Sequence, residues 1–150
     1  MKIGIISDTH GSLPQKVFGL FEGVKAIFHA GDIGSFSVIE DLADIAPVYA
    51  VAGNMDRGAL AKRFPKTDLI EIDDFCIYMV HEPYLLDIDP VAAGINCVIF
   101  GHTHAAHIEK KEGVLFLNPG SASIPRFGQR PSVMVCHMDG KDIRPVLLKF

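Results

Sequence analysis

Residues 2–10 read Lys2-Ile3-Gly4-Ile5-Ile6-Ser7-Asp8-Thr9-His10. The run from Lys2 to Ser7 is almost continuously apolar, the pattern of a strand buried on both faces of a parallel sheet. It stops on Asp8 and His10, two side chains that bind metals. Two more units of the same shape follow. Lys25–Ala30 runs into Gly31-Asp32, and Pro47–Ala52 runs into Gly53-Asn54-Met55-Asp56. Helix signals separate them. Ser12–Gly23 has helical spacing at Leu13, Val17, Leu20 and Phe21, with Ser12 suited to the N-cap and Pro14 to the first turn. Ser35–Asp44 predicts a second helix and Arg57–Arg63 a short third. This βαβ alternation predicts a parallel sheet.

Beyond these units the chain changes character. Asp68–Ile72 and Phe75–Val80 flank Asp73-Asp74 as a hairpin. Asp89–Ala93 predicts a weak helix and Cys97–Phe100 another buried strand. His107–Lys111 and Val114–Leu117 flank Glu112-Gly113. Val133–Met138 and Ile143–Phe150 flank a turn containing Asp139-Gly140, a strong hairpin signal. No linker, repeat or low-complexity segment divides the chain, so residues 1–150 form one domain of α/β class. The expected architecture is two mixed sheets packed face to face with helices outside.

The 150 residues are 49% apolar, which supports a real core, and the formal net charge is −4. No run of Lys or Arg exceeds two residues. A basic stripe for nucleic acid is therefore missing, and no stable nucleic-acid complex is expected. The N-terminal apolar run is too short for a signal peptide, and no stretch reaches the ~18 apolar residues of a membrane span. A soluble, cytoplasmic protein is the expectation, with homo-oligomerisation left open. Cys76, Cys97 and Cys136 are odd in number, lie in apolar runs and read as buried reduced thiols.

Metal-competent side chains recur just after the apolar runs. Asp8 and His10 follow the first strand, Asp32 the second and Asn54 the third. His81 ends Phe75–Val80, and His102 and His104 follow Cys97–Phe100 in Gly101-His102-Thr103-His104. In open α/β sheets the functional crevice lies beyond the carboxyl ends of the strands, so these residues should meet at one rim. Taken singly, each is an ordinary turn residue, helix cap or structural histidine. Jointly they are a ligand set. Carboxylates, imidazoles and one amide oxygen suit divalent ions such as Mn²⁺, Fe²⁺, Ni²⁺ or Zn²⁺, and seven groups suit two ions sharing a carboxylate. Thr103 reads as a spacer.

Asp-x-His, Gly-Asp, Gly-Asn-x-Asp, a strand-terminal His and Gly-His-Thr-His, in that order, resemble the calcineurin-like metallophosphoesterase superfamily. The short length, Asn118-Pro119-Gly120-Ser121 and Pro125-Arg126 resemble its small bacterial and archaeal phosphodiesterase branch. The resemblance implies a four-layer α-β-β-α sandwich. It implies Asp8, His10 and His104 on one metal, Asn54, His81 and His102 on the other, and Asp32 bridging. Mn²⁺ is the foremost candidate ion. It further implies a hydroxide held between the ions that attacks a small phosphodiester in line, with Asp32, Asn54 and His81 the catalytic residues among the ligands.

Two departures bear on substrate choice. Met55 stands where many relatives place a His taken to act as general acid or to bind the substrate, and Glu82-Pro83 stands where the branch usually has Gly followed by His. Asp56 and Glu82 add acidic groups near the expected rim. Asn118, Ser121 and Arg126 are further candidates for support or substrate contact, with a salt bridge the simpler reading for Arg126. His29 reads as a residue supporting the ligands from behind or a buried strand residue, and His107 and His137 as surface or hairpin residues. The alternatives to a phosphodiesterase are a phosphomonoesterase and a non-catalytic, protein-binding scaffold of the same fold. Retention of all seven ligands favours catalysis.

Overall fold

The computed structural model describes residues 1–140 and 142–150. The first sheet contains β1 (Lys2–Ile6), β2 (Ala26–His29), β3 (Val48–Ala50), β9 (Ser132–Asp139) and β10 (Asp142–Lys149), in the order β10-β9-β1-β2-β3. The second contains β4 (Thr67–Ile72), β5 (Phe75–Val80), β6 (Cys97–Ile99), β7 (His107–Lys111) and β8 (Val114–Asn118), in the order β4-β5-β6-β8-β7. Both are mixed. β1, β2 and β3 run parallel, as do β5, β6 and β8, and antiparallel hairpins complete the edges. The hairpins fall where turn chemistry places them. Glu112 and Gly113 both adopt positive φ between β7 and β8, the conformation that matches strand twist. The turn after Asp139-Gly140 reaches position 141, outside the described residues.

Burial on both faces explains the apolar runs. Ile3, Ile5, Phe28 and Met134 of the first sheet meet Ile77, Met79, Ile99 and Leu117 of the second. On the outer face of the first sheet, Ile6, Ile27 and Val135 pack against Val17 and Phe21 around α1 (Lys16–Leu20) and against Val38 and Leu42 of α2 (Phe36–Ala43). Full burial of such side chains contributes roughly 1.5–3 kcal/mol each. α3 (Ala59–Arg63) adds Leu60 to this layer. The second sheet carries a thinner cover. Tyr78, Val98 and Phe100 lie beneath the loop bearing Leu86, Ile88 and Ile95, whose only helical turn is the 3-10 segment Pro83–Leu85.

Two helix expectations need correction. The first helix does not span Ser12–Gly23 but only Lys16–Leu20, and Ser12 does not cap it. The reason lies upstream: the N–H groups of His10 and Gly11 donate to the carbonyls of Asp32 and Ile33, which ties the chain in a turn against a neighbouring loop before a helix can start. The segment 89–93 is a turn rather than a helix. Asp89 Oδ1 accepts from the N–H of Val91 and Ala92, but Gly94 at φ +71° ends the turn at once. By contrast α2 forms as expected, with the Ser35 hydroxyl accepting from Ser37 N–H. Cys97 and Cys136 are buried free thiols, while Cys76 is only half-buried. No helix among the described residues is long and apolar enough to cross a membrane.

Candidate metal centre

The carboxyl ends of β1, β2, β3, β5 and β6 converge on one rim, where the two sheets deliver their ligand-type side chains to a single place. His104 Nε2 lies 3.1 Å from Asp8 Oδ1 and 3.3 Å from His10 Nε2. His81 Nε2 lies 3.3 Å from Asp32 Oδ2 and 3.9 Å from Asp8 Oδ1. His10 Nε2 stands 3.8 Å from Asp8 Oδ1 and 3.7 Å from Asp32 Oδ2. Asp8, His10, Asp32 and His104 thus form a candidate metal-binding cluster, each with a ligand atom within 4.8 Å of the others. Asn54 and His102 stand beside it. Their side chains meet at 3.2 Å, and the His102 ring sits edge-on to His81 at 5.4 Å.

The surrounding chain decides which atoms face inward. Asp8 Oδ2 accepts from the Ser7 hydroxyl at 2.6 Å and from His102 N–H at 3.2 Å, which turns Oδ1 toward the cluster. Asp32 Oδ1 accepts from Met55 N–H at 2.9 Å, which turns Oδ2 inward. His81 Nδ1 lies 2.7 Å from the carbonyl of Ala30, and His104 Nδ1 lies 2.6 Å from that of Ile124. A carbonyl only accepts, so each Nδ1 carries its proton there and each Nε2 is left to the centre. Asp8 Oδ1 and His81 Nε2 are buried with no hydrogen-bond partner. Buried lone pairs converging without a proton between them carry a large desolvation cost, and a divalent cation is the group whose charge and coordination they fit.

Without a cation, protons take that place. Burial pulls the His81 imidazole down, but the Asp32 carboxylate 3.3 Å away and the Asp8 charge outweigh this, and the net shift is upward. The Asp8 carboxylate 3.1 Å from its Nε2 raises His104, against a smaller opposing effect of burial. Burial pushes Asp32 up, yet the His81 imidazole beside it, Met55 N–H and His10 together bring it below the usual carboxylate value.

The backbone here is forced. Asp8, His10, Asp32, His102 and His104 all lie at positive φ, between +46° and +68°. Non-glycine residues in this region are strained and collect at functional sites. Gly53 and Gly101 have a different task, close approach. A Cβ on Gly53 would fall on the Asp32 carboxylate, and one on Gly101 on the Ser7 hydroxyl and Asp8.

The remaining candidates separate. Asp56 is buried and faces away from any substrate: its carboxylate accepts from the N–H groups of Ile33, Gly34 and Gly53 and so closes the loops that carry Asp32 and Asn54. Asn118 donates from Nδ2 to the Gly101 carbonyl at 2.9 Å and to Thr103 Oγ1 at 3.0 Å, bracing the loop of His102 and His104. The Ser121 hydroxyl donates to the Asp8 carbonyl at 2.8 Å. Met55 is 56% exposed at the rim. Glu82 accepts from the Tyr84 hydroxyl, and the Tyr84 ring stands edge-on to His102 at 5.8 Å. Arg126 is exposed, and among the described residues no ion pair holds it, contrary to the salt bridge expected; the turn at 126–129 points it outward.

Sequence reasoning missed Ser7, Thr9 and Ser123, and left His29 between support of the site and plain burial. Ser123 donates to the Thr9 carbonyl at 2.6 Å. His29 Nδ1 accepts from Gly31 N–H, so Nε2 carries the proton toward Thr9 Oγ1 at 2.9 Å, and Thr9 donates to the Ile33 carbonyl. Burial lowers His29 to about 4 and keeps this chain neutral. Only the adjacency of Ser7 and Thr9 to Asp8 hinted at these roles. His107 and His137 are exposed on strands away from the cluster.

Residues 1–141 match the calcineurin-like phosphoesterase superfamily domain. A probable metallophosphoesterase of Methanothermobacter thermautotrophicus is 36% identical, with 99% of this chain and 92% of the relative aligned. The solved structure of an archaeal phosphodiesterase superposes with a TM-score of 0.83 at 30% identity, covering 99% of this chain and 100% of that one. Zinc-bound Vps29 of Entamoeba histolytica superposes with a TM-score of 0.77 at 20% identity over 99% of both chains, a likeness of fold.

Proposed function

From a chain that belongs to the calcineurin-like phosphoesterase superfamily, we propose a metal-dependent phosphodiesterase acting on small diesters. Two divalent ions, when bound, supply Lewis acidity and lower the pKa of water toward neutrality. The groups to hold them are Asp8, His10 and His104 on one side, Asn54, His81 and His102 on the other, and Asp32 between. Ser7, His102 N–H and Met55 N–H each tie down one oxygen of a carboxylate, so that the other stays fixed toward the place where the ions would sit. The carbonyls of Ala30 and Ile124 hold the protons of His81 and His104 away from the reacting group. The observation that carries the reading is the pair of buried, partnerless acceptors, Asp8 Oδ1 and His81 Nε2, facing the same space. The likeness to an archaeal phosphodiesterase supports the diester, as does the exposed Met55, which offers no proton to a poor leaving group.

The test is a panel of aryl phosphodiesters and monoesters assayed with metal-depleted protein and after addition of Mn²⁺, Ni²⁺, Fe²⁺ or Zn²⁺. Diester turnover that appears only with metal is expected. Turnover equal with and without chelator, or confined to monoesters, would refute the reading.

A further inference from the structure

A cavity of about 260 Å³ opens beside His81, lined by Ala52, Val80 and Leu85 and by four polar side chains, Lys66, Thr67, Glu82 and Asp87. It lies where the two sheets hand over to each other. Ala52 precedes the Asn54 loop and its N–H donates to the Pro65 carbonyl, while Lys66 immediately precedes β4 and Thr67 opens it. Its opposite wall is the 3-10 turn after His81, which carries the Glu82-Pro83 departure. The cavity therefore has one proposed metal ligand, His81, in its wall, and its other lining residues hold no metal.

Its lining mixes charges. Glu82 and Asp87 disfavour an anionic group, and the Lys66 ammonium offsets part of their attraction for a cationic one. Asp87 has one oxygen engaged by the Tyr78 hydroxyl at 3.1 Å, which leaves the other to accept. Neutral hydroxyls can donate to both carboxylates and accept from Lys66 and Thr67, and the floor of Ala52, Val80 and Leu85 suits the carbon skeleton. Size adds a second limit. Pockets for whole drug-sized ligands run from about 300 Å³ upward, so this one suits a small polyol or a pentose rather than a complete nucleoside. We propose that it receives one ester group of the diester, a neutral hydroxylated alkyl group such as a glyceryl or pentosyl unit. The inference rests on the phosphodiesterase reading above.

Four aryl phosphodiesters sharing a nitrophenyl leaving group test it, with methyl, glyceryl, ribosyl and aminoethyl as the second ester group. Their kcat/KM values are measured on the metal-loaded protein and on Lys66→Ala and Asp87→Ala. Both positions are exposed, so both variants should fold. A hydrogen bond to a charged side chain corresponds to roughly tenfold or more in binding. The glyceryl and ribosyl diesters should therefore exceed the methyl diester by at least about tenfold in kcat/KM. Each substitution should remove most of that advantage through KM and leave methyl turnover unchanged. Equal values for methyl and glyceryl, preference for aminoethyl, or a parallel loss for all substrates in Asp87→Ala would overturn the proposal. Failure to hydrolyse any of the four would instead overturn the phosphodiesterase reading itself.

Discussion

Asp8, Asp32, His81 and His104 are between 0 and 5% exposed, each with one polar atom bound by the protein and another aimed inward. A few ångströms away, Asn54 is exposed, Met55 is 56% exposed and Tyr84 69%, and the Asn54 side chain touches little but His102. The inner half of the rim is preorganised and the outer half is open. Preorganised ligands lose little freedom on binding metal, whereas open ones remain free to meet different substrates. The contrast suggests that metal affinity lives in the inner half and specificity in the outer half.

Removal of Asp32 should break that contrast most severely. Asp32→Ala is expected to abolish diester hydrolysis and strip the protein of metal while the fold persists. Asn54→Ala, on the open side, should lower metal content without emptying the site. Elemental analysis after gel filtration, with a circular dichroism melt, separates these outcomes; full activity in Asp32→Ala would discard the assignment.

Support for the inner half can be weakened from behind. Ser7→Ala removes the hydroxyl from Asp8 Oδ2 and leaves only His102 N–H to orient it. Partners of this kind typically carry 10–100-fold in metal affinity. A metal titration of the variant should show a loss in that range, and an unchanged affinity would mean that Asp8 needs no such partner. Mn²⁺ at ~100-fold excess over its Kd should add roughly 2.7 kcal/mol to parent stability, provided it binds the native state alone. Thermal midpoints that coincide in Mn²⁺ and in chelator would contradict a native site.

The raised values of His81 and His104 give a pH test. In the metal-free protein these imidazoles keep their protons to higher pH than free histidine. Their contribution to stability is complete below about 6.5 and is lost as pH rises through the folded values. A metal needs them neutral, so its binding expels protons and its affinity falls as pH drops through neutrality. Calorimetry in buffers of differing ionisation enthalpy should detect proton release near pH 6.5, and none would mean that the histidines are not ligands.

The smallest effect is expected at Met55. A well-placed general acid contributes ~10²–10⁴-fold. Met55→His should raise alkyl-diester turnover more than aryl-diester turnover, but by less than that range, because the Asp56 carboxylate is spent on three backbone N–H groups and cannot orient a new imidazole. Equal gains for alkyl and aryl substrates would show that protonation of the leaving oxygen comes from elsewhere.

These particulars mark what the sequence could reveal. The strands were legible because burial on two faces writes itself as an apolar run, and the ligand positions because each run ends on a metal-binding type. The length of α1 was not legible. The spacing of Leu13, Val17 and Phe21 describes a face, and nothing local shows that His10 and Gly11 donate to the loop of Asp32 and Ile33. Asp56 illustrates the same limit, since its acceptors' partners at Ile33 and Gly34 lie more than twenty residues back in the chain. Ser7 and Thr9 hold their neighbours through side-chain bonds that leave no periodic trace. The thin cover over the second sheet escaped notice because Gly94 and Pro90 cut short what the composition of 89–93 suggests.

The central claim is that the inward lone pairs at this rim hold metal, and anomalous diffraction from crystals grown with Mn²⁺ tests it most directly. Two peaks about 3.5–4 Å apart are predicted, one bounded by Asp8 Oδ1, His10 and His104, the other by Asn54, His81 and His102, with Asp32 Oδ2 between them. Empty density at this rim, with Mn²⁺ bound elsewhere or not at all, would contradict the account.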